Sequence, residues 1–498
     1  MAQSWETRTS SFLNWFRALP GANFHPDIKI HDYRRSHAGR GIVATADIPE
    51  DTLLFTIPRD AILNTLTSDL PKRIPQIFED STAGLQDDDN EADEEGEITG
   101  PPDSWVSLIL VMIYEFLQGD QSRWRPYFDV LPEEFDTPMF WSNQELAELQ
   151  ASAISSKVGK DEADNMFRAK VLPTVQEHAD VFYPPGAQRL GEDRLMALAH
   201  RMGSTIMAYA FDLENEEEDP EDGEDEWMED KEGKLMMGMV PMADILNADA
   251  AFNAHVNHED HSLTVTSIKP IQAGQEILNY YGPLSNGDLL RRYGYVTETH
   301  SRYDVVELPW DLVSSVLKDV LKEQIKLDDT TWGKAINDLE DEEIEDVFVL
   351  DRDLDGPDEK GNVPEDRELK ALPEDLVEQV MAFLRAVRKA ANPNSIPDKQ
   401  KAKELMLLTI NRALQIRLSQ YQTRAAQDLE VIARESGKLN AAADIATSRA
   451  ANRTRMAAIV RWGEKDLLQQ AIELSARKLS ELDSLANAAE PSAKRQRR

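Results

Sequence analysis

Two tyrosines stand side by side in GQEILNYYG, residues 274–282, and two more follow in LLRRYGYV, residues 289–296. A tyrosine buries an apolar ring and keeps a hydroxyl that needs a partner, so each one taken singly reads as core with its hydroxyl satisfied. Order and spacing change that reading. Upstream, MVPMADILNADAAFNA (239–254) sets Asp244 and Asn247 after an apolar run and follows them with small residues that permit close backbone packing. AGRGIVA (38–44) has the outline of a dinucleotide fingerprint in Gly39, Gly41 and Ala44. That fingerprint needs a helix after the turn, because the helix N-terminus holds the pyrophosphate. Here IVATADIPEDTLLFTI follows, which reads as strand, Pro-marked turn and strand, so the dinucleotide reading fails. A glycine turn that lets backbone approach a ligand survives, with a plain hairpin turn as the alternative. His255, His258 and His261, with Asp260 beside them, lead into SLTVTSI and read as turn and surface residues of a hairpin rather than metal ligands.

The elements that must position these residues follow from composition and period. The chain has 498 residues, 41% of them hydrophobic, enough for two to three domains with real cores. It has no cysteine, which excludes disulfides, thiolate zinc clusters and cysteine nucleophiles. The formal charge of −38 works against binding a phosphate backbone and favours basic protein partners. No run of residues approaches the ~18 to 20 apolar residues needed to cross a bilayer, and the N-terminus lacks a basic-then-apolar leader, so an intracellular protein is expected. Residues 28–62 carry short β-branched runs, and strand character returns at 262–268 and 276–280. Between them SWVSLILVMIYEFL and DRLMALAHRMGSTIMAYAF predict a helical insert. From about residue 374 the period is helical to the end, with Leu376, Val380, Phe383, Leu384 and Val387 as one stripe and Leu407, Ile410, Leu414, Leu418 and Tyr421 as another. Pro393 and the uneven stripes argue for a bundle over a continuous coiled coil. Acidic low-complexity stretches at 87–97, 214–232 and 339–366 read as loops or linkers, and AKRQRR at the end as a short basic tail.

Read in order, GRGIVA, VPMADILN, GQEILNYYG and RRYGYV resemble the signature segments of the SET-domain protein-lysine methyltransferases. The resemblance is to the branch of the Rubisco large-subunit methyltransferase and its fungal ribosomal relatives, and RWGEKDLL (461–468) resembles that branch's substrate-binding domain. It implies an α+β fold: a β-rich SET domain interrupted by a helical insert, then an all-α C-terminal substrate-binding domain. The implied boundaries are 12–65 and 235–300 for the two SET parts, 66–234 for the insert, 301–485 for the helical domain and 486–498 for the tail.

The same resemblance implies S-adenosyl-L-methionine as cofactor. Ala38, Gly39 and Arg40 match the turn that holds its methionine end, and Asn247 with Ala248 match the pair at its adenine end. Tyr281 matches the catalytic tyrosine at the methyl-transfer centre, Tyr293 a second aromatic wall, and Ala208 and Phe211 the lining of the lysine channel. Most of the superfamily has histidine where this chain has Ala248, so only backbone is left to bind at that position. The implied partner is a basic protein substrate, a large-subunit ribosomal protein first and a histone or transcription factor second, with neither nucleic acid nor membrane. A monomer in the nucleus, also in the cytoplasm, is expected. The competing class is a non-catalytic SET-fold scaffold for basic proteins.

Overall fold

β-Branched and aromatic runs separated by Gly, Pro and Asp become short strands here because each has one face to bury. The computed structural model describes residues 4–78, 104–213, 236–339, 344–391, 396, 398–441 and 445–495. The acidic stretches 87–97 and 214–232 lie outside the described residues, as do 340–343 of the third and the last three residues of the basic tail. The chain forms two compact units. The first is Met1–Phe140, Gly159–Tyr281 and Asp358–Asn362; the second is Trp141–Val158, Gly282–Pro357 and Val363–Arg498.

In the first unit the strands are β1 (Asn23–Phe24), β2 (Ile28–Asp32), β3 (Arg40–Ala44), β4 (Leu53–Pro58), β5 (Ala210–Leu213), β6 (Met236–Met239), β7 (Asn247–Ala248), β8 (Ala254–His258), β9 (Ser262–Ser267) and β10 (Glu276–Asn279). They make one sheet in the order β1-β4-β9-β8, a second in the order β2-β3-β10-β7, and the two-stranded pair β5-β6. Leu54, Phe55 and Ile57 of β4 and Leu263 and Val265 of β9 enter the core. The helix Ser104–Gln118 is buried continuously from Val106 to Glu115, as expected of a helix apolar on every face. Its buried Glu115 is satisfied at both oxygens, accepting from Ser68 Oγ at 2.7 Å and Ser122 Oγ at 2.6 Å.

One helical expectation stops short. The helix Glu192–Tyr209 ends where Ala210 turns extended, and Ala210 and Phe211, expected to continue it, lie instead on β5, which pairs with β6. An antiparallel partner two dozen residues downstream overrides local helical period.

The second unit is mainly helical. Leu376, Val380, Phe383, Leu384 and Val387 of the helix Glu374–Ala390 are all buried, as are Leu407, Ile410 and Leu414 of the helix Lys399–Ser419. These pack with the long helix Ile445–Arg495 through Leu467, Leu468 and Ala471. The unit also carries a ribbon, β11 (Val306–Pro309) against β12 (Val347–Leu350), so the expectation of an all-α domain over 301–485 and of loop or linker throughout 339–366 is corrected: pairing of the apolar run VFVL with β11 overrides its acidic flanks.

Candidate active site

The second sheet of the first unit gathers the motifs. β3 runs antiparallel to β10, with Ile42 opposite Ile277 and Val43 opposite Glu276. β7 runs parallel to β10, with Asn247 opposite Leu278 and Ala248 opposite Asn279. These two registers put the start of β3, the whole of β7 and the exit of β10 at one end of the sheet. Residues 38–40, residues 247–248 and Tyr281 therefore meet there although they are some 240 positions apart along the chain.

Local chemistry explains each piece. Gly39 has φ +62, and no heavy atom lies within 4 Å of where its Cβ would stand, so the turn faces open space. Tyr33 closes that turn, donating to Gly39 O at 2.8 Å and accepting from Ala38 N at 3.1 Å. Gly41 is needed for a different reason. A Cβ there would stand 2.5 Å from Glu276 Oε1 and 2.8 Å from Asn247 Nδ2. Those two groups are bonded to each other, Asn247 Nδ2 donating to Glu276 Oε1 at 2.7 Å. Burial raises the Glu276 carboxyl, and the Asn247 hydrogen bond opposes the rise. Sequence reasoning missed Glu276. The signal for it is a lone charge inside the apolar strand EILN, on the face it shares with a glycine of the neighbouring strand.

Tyr281 is half-buried and its hydroxyl donates to Leu246 O at 3.0 Å, one residue before Asn247. The hydroxyl oxygen thereby points its proton at the protein and keeps acceptor capacity. Tyr280 stacks on Phe252 with ring centroids 5.0 Å apart. Asn253 completes the cradle, accepting from Leu278 N and donating to Glu276 O, both at 2.8 Å.

Beneath this lies Asp244, buried and bonded to the Tyr127 hydroxyl, with Met242 N donating to it at 3.1 Å. Burial pushes the Asp244 carboxyl up to about 7 against those hydrogen bonds. Met242 sits at φ +85, a strained value for a side chain of its size, so the Asp244 contact holds a turn that would otherwise relax.

The Arg40 side chain does something the sequence did not indicate. It leaves the turn toward the N-terminal helix Trp5–Ala18, donating from Nε to Thr9 Oγ1 at 3.1 Å and from Nη1 to Val130 O at 2.7 Å. Its guanidinium lies 3.5 Å from the centroid of Trp5, and Arg34, itself held by Asp32, lies over the same ring at 4.0 Å. Burial, with Arg8 and Arg34 nearby, lowers Arg40 to about 10.

Of the other expected residues, Ala208 is buried near the end of the helix Glu192–Tyr209, and Phe211 stands on β5 opposite Gly238. β6 then bridges to Leu63 at Met239 and leads into the 240–247 segment, so both belong to the unit that holds Tyr281. Tyr293 ends the helix Asn286–Tyr293 in the second unit, edge-on to Tyr295. His255 and His258 lie on β8, and His261 precedes β9, the hairpin the sequence suggested. Among the described residues no group of three or more His, Asp or Glu side chains is placed to hold a metal, and no helix is long and apolar enough to cross a membrane.

Residues 39–282, just under half of the chain, match the SET domain family. Among curated proteins the chain is 30% identical to ribosomal lysine N-methyltransferase 4 of Saccharomyces cerevisiae over 321 residues, 63% of this chain and 60% of that protein. It is 33% identical to N-lysine methyltransferase SETD6 of Homo sapiens over 264 residues, 52% of this chain and 48% of that one. The chain thus spans 48% to 60% of the length of these relatives. Among solved structures it resembles the SET domain of LSMT bound to lysine and AdoHcy, with TM-score 0.61 at 19% identity, covering 97% of this chain and 94% of that one. Rubisco LSMT bound to AdoMet gives TM-score 0.60 at 19% identity, covering 96% and 93%. At that identity the likeness establishes the fold.

Proposed function

We propose that the chain is an S-adenosylmethionine-dependent protein-lysine N-methyltransferase. The observation that carries this reading is the meeting of residues 38–40, Asn247–Ala248 and Tyr281 at one end of the β2-β3-β10-β7 sheet. The open turn at Gly39 suits a ligand that must approach backbone closely. S-adenosylmethionine, when bound, supplies a methyl group on a sulfonium for transfer to an amine. In this reading Ala38, Gly39 and Arg40 hold its methionine end through backbone, and Asn247 with the backbone of Ala248 holds its adenine end. The hydrogen bond from Asn247 to Glu276 orients the Asn247 amide for that task.

A lysine ammonium has pKa about 10.4 in water, and only the neutral amine is a nucleophile. Apolar walls at Phe211 and Tyr281, with Ala208 lining the same channel, disfavour the charged form and so lower that pKa. The Tyr281 oxygen, its proton already given to Leu246 O, accepts from the amine and holds it in line. Alignment of this kind contributes up to ~7 to 11 kcal/mol of the barrier reduction.

The substrate this reading favours is a basic protein, a ribosomal protein first on the strength of the yeast relative's name, and one of the large subunit on the resemblance of the motif segments. The basic end AKRQRR supports nuclear residence. The test is incubation with a radiolabelled methyl donor and cell extract, followed by identification of the labelled residue. Label on a lysine of a large-subunit ribosomal protein, lost with Tyr281→Phe, is the expected result. Calorimetry that detects no S-adenosylmethionine binding sinks the reading and favours a scaffold.

A further inference from the structure

The β11-β12 ribbon of the second unit has one closed edge and one open edge. Trp310 N donates to Asp346 O at 2.8 Å, which sets the phase of the ladder. Phe348 with Leu308 and Leu350 with Val306 are then the hydrogen-bonded pairs, while Val347 with Pro309 and Val349 with Glu307 are not. Pro309, which has no N–H, falls where none is needed. The backbone groups of Val347, Val349 and Glu307 therefore point away from the partner strand. On the β11 side Glu307 O accepts from Arg417 Nε at 3.1 Å, so that edge is occupied. On the β12 side no hydrogen bond to Val347 or Val349 occurs among the described residues.

The side chains follow the same alternation. Phe348 and Leu350 are buried, whereas Val347 is 44% and Val349 49% exposed. Exposed edges are commonly blunted with lysine, a bulge or a covering loop. This one is instead framed by exposed acids: Glu345 and Asp346 before it, Asp351, Asp353 and Asp355 after it. None of these makes an ion pair among the described residues. The single cation between them, Arg352, is turned inward to Ser301 O and Asp466.

We propose that β12 is the docking edge for an extended basic segment of the protein substrate, which adds to the ribbon as a third strand. Main-chain hydrogen bonds to Val347 and Val349 supply affinity, every second substrate side chain rests on the two valines, and flanking lysines or arginines meet the acids. The inference rests on the proposed methyltransferase reading for the word substrate, and on the geometry alone for the docking mode.

The probe is a short labelled peptide of alternating lysine and valine, followed by fluorescence anisotropy on the full chain. Three comparisons accompany it: the peptide with glutamate for lysine, the peptide N-methylated on the edge that must pair, and the Val349→Lys variant. Each is expected to weaken binding by about tenfold or more, since each removes one of charge, ladder or apolar contact. The S-adenosylmethionine affinity of Val349→Lys, measured on the same preparation, is expected to be unchanged. That second reading separates the two claims: absent cofactor binding by the native chain counts against the methyltransferase and leaves the edge standing. Peptide binding indifferent to N-methylation and to Val349→Lys overturns the proposal, because it would be charge attraction only. Self-association abolished by Val349→Lys would make a second copy the occupant, and binding that tightens when residues 485–498 are removed would make it the chain's own tail; either result also overturns it.

Discussion

At Tyr281 a single hydroxyl separates a packing role from a chemical one. Tyr281→Phe keeps the ring and removes the hydrogen bond to Leu246 O, which costs about 1 kcal/mol of stability. Turnover per folded molecule is expected to fall on the order of 100-fold, as when one preorganised polar group is lost from a transition state. Single-turnover rates and melting temperature on one preparation decide it, and a near-native rate ends the catalytic assignment. Asp244 makes a pH prediction. Its folded carboxyl is raised from 3.8 to about 7, so between those values the folded protein holds a proton that the unfolded chain has released. This group's contribution is fully present below the unfolded value and is lost as pH rises toward 7. The stability of the native chain relative to Asp244→Asn should then fall with rising pH across that window, by at most roughly 1.4 kcal/mol per pH unit. Denaturation of both proteins at several pH values measures the difference, in which other titrations largely cancel. A flat difference would show that Asp244 stays ionised.

At the scale of elements, the site depends on pieces that never touch a substrate. The N-terminal helix Trp5–Ala18 is tied to the glycine turn by Arg40, through Thr9 and the face of Trp5. Arg40→Lys keeps the charge but loses the planar fork and much of the stacking. Its expected effect is a several-fold loss of S-adenosylmethionine affinity, since the turn's backbone is held less firmly. Trp5→Ala should do the same without altering any residue of the turn. Cofactor affinity unchanged in both, with native melting temperature, would show that the helix is not part of the site's support. Gly41→Ala tests the other side of the turn. Its Cβ would press on Glu276 and Asn247, so affinity should fall by about tenfold with the overall fold retained, the mark of lost orientation rather than unfolding. Calorimetric titration reads both series.

For the whole molecule the governing quantity is charge. A net −38 on 498 residues sets up a field that draws basic proteins inward before any contact forms. Screening shortens to ~8 Å at physiological salt, so association with a basic substrate should slow as salt rises while dissociation changes less. Stopped-flow association rates across a salt series check this. Rates indifferent to salt would reduce the acidic stretches to solubility devices.

The motif segments, the helical insert and the buried stripes of the C-terminal helices were legible because each depends on local period or on residue type. The lack of cysteine settled by itself that no thiolate chemistry operates. What tertiary structure decided was pairing. Nothing in residues 210–213 announces a strand until β6 lies beside it, and nothing in VFVL identifies an open edge until β11 takes the other side. Glu276 became a site residue only when the register put its carboxylate over Gly41 and against Asn247. Arg40, expected as part of the cofactor turn, has a side chain that reaches Trp5 and Val130. Local sequence sets propensity over a few residues, whereas strand register and the direction of a long side chain are set by partners far away in the chain, and those partners meet only in the folded state.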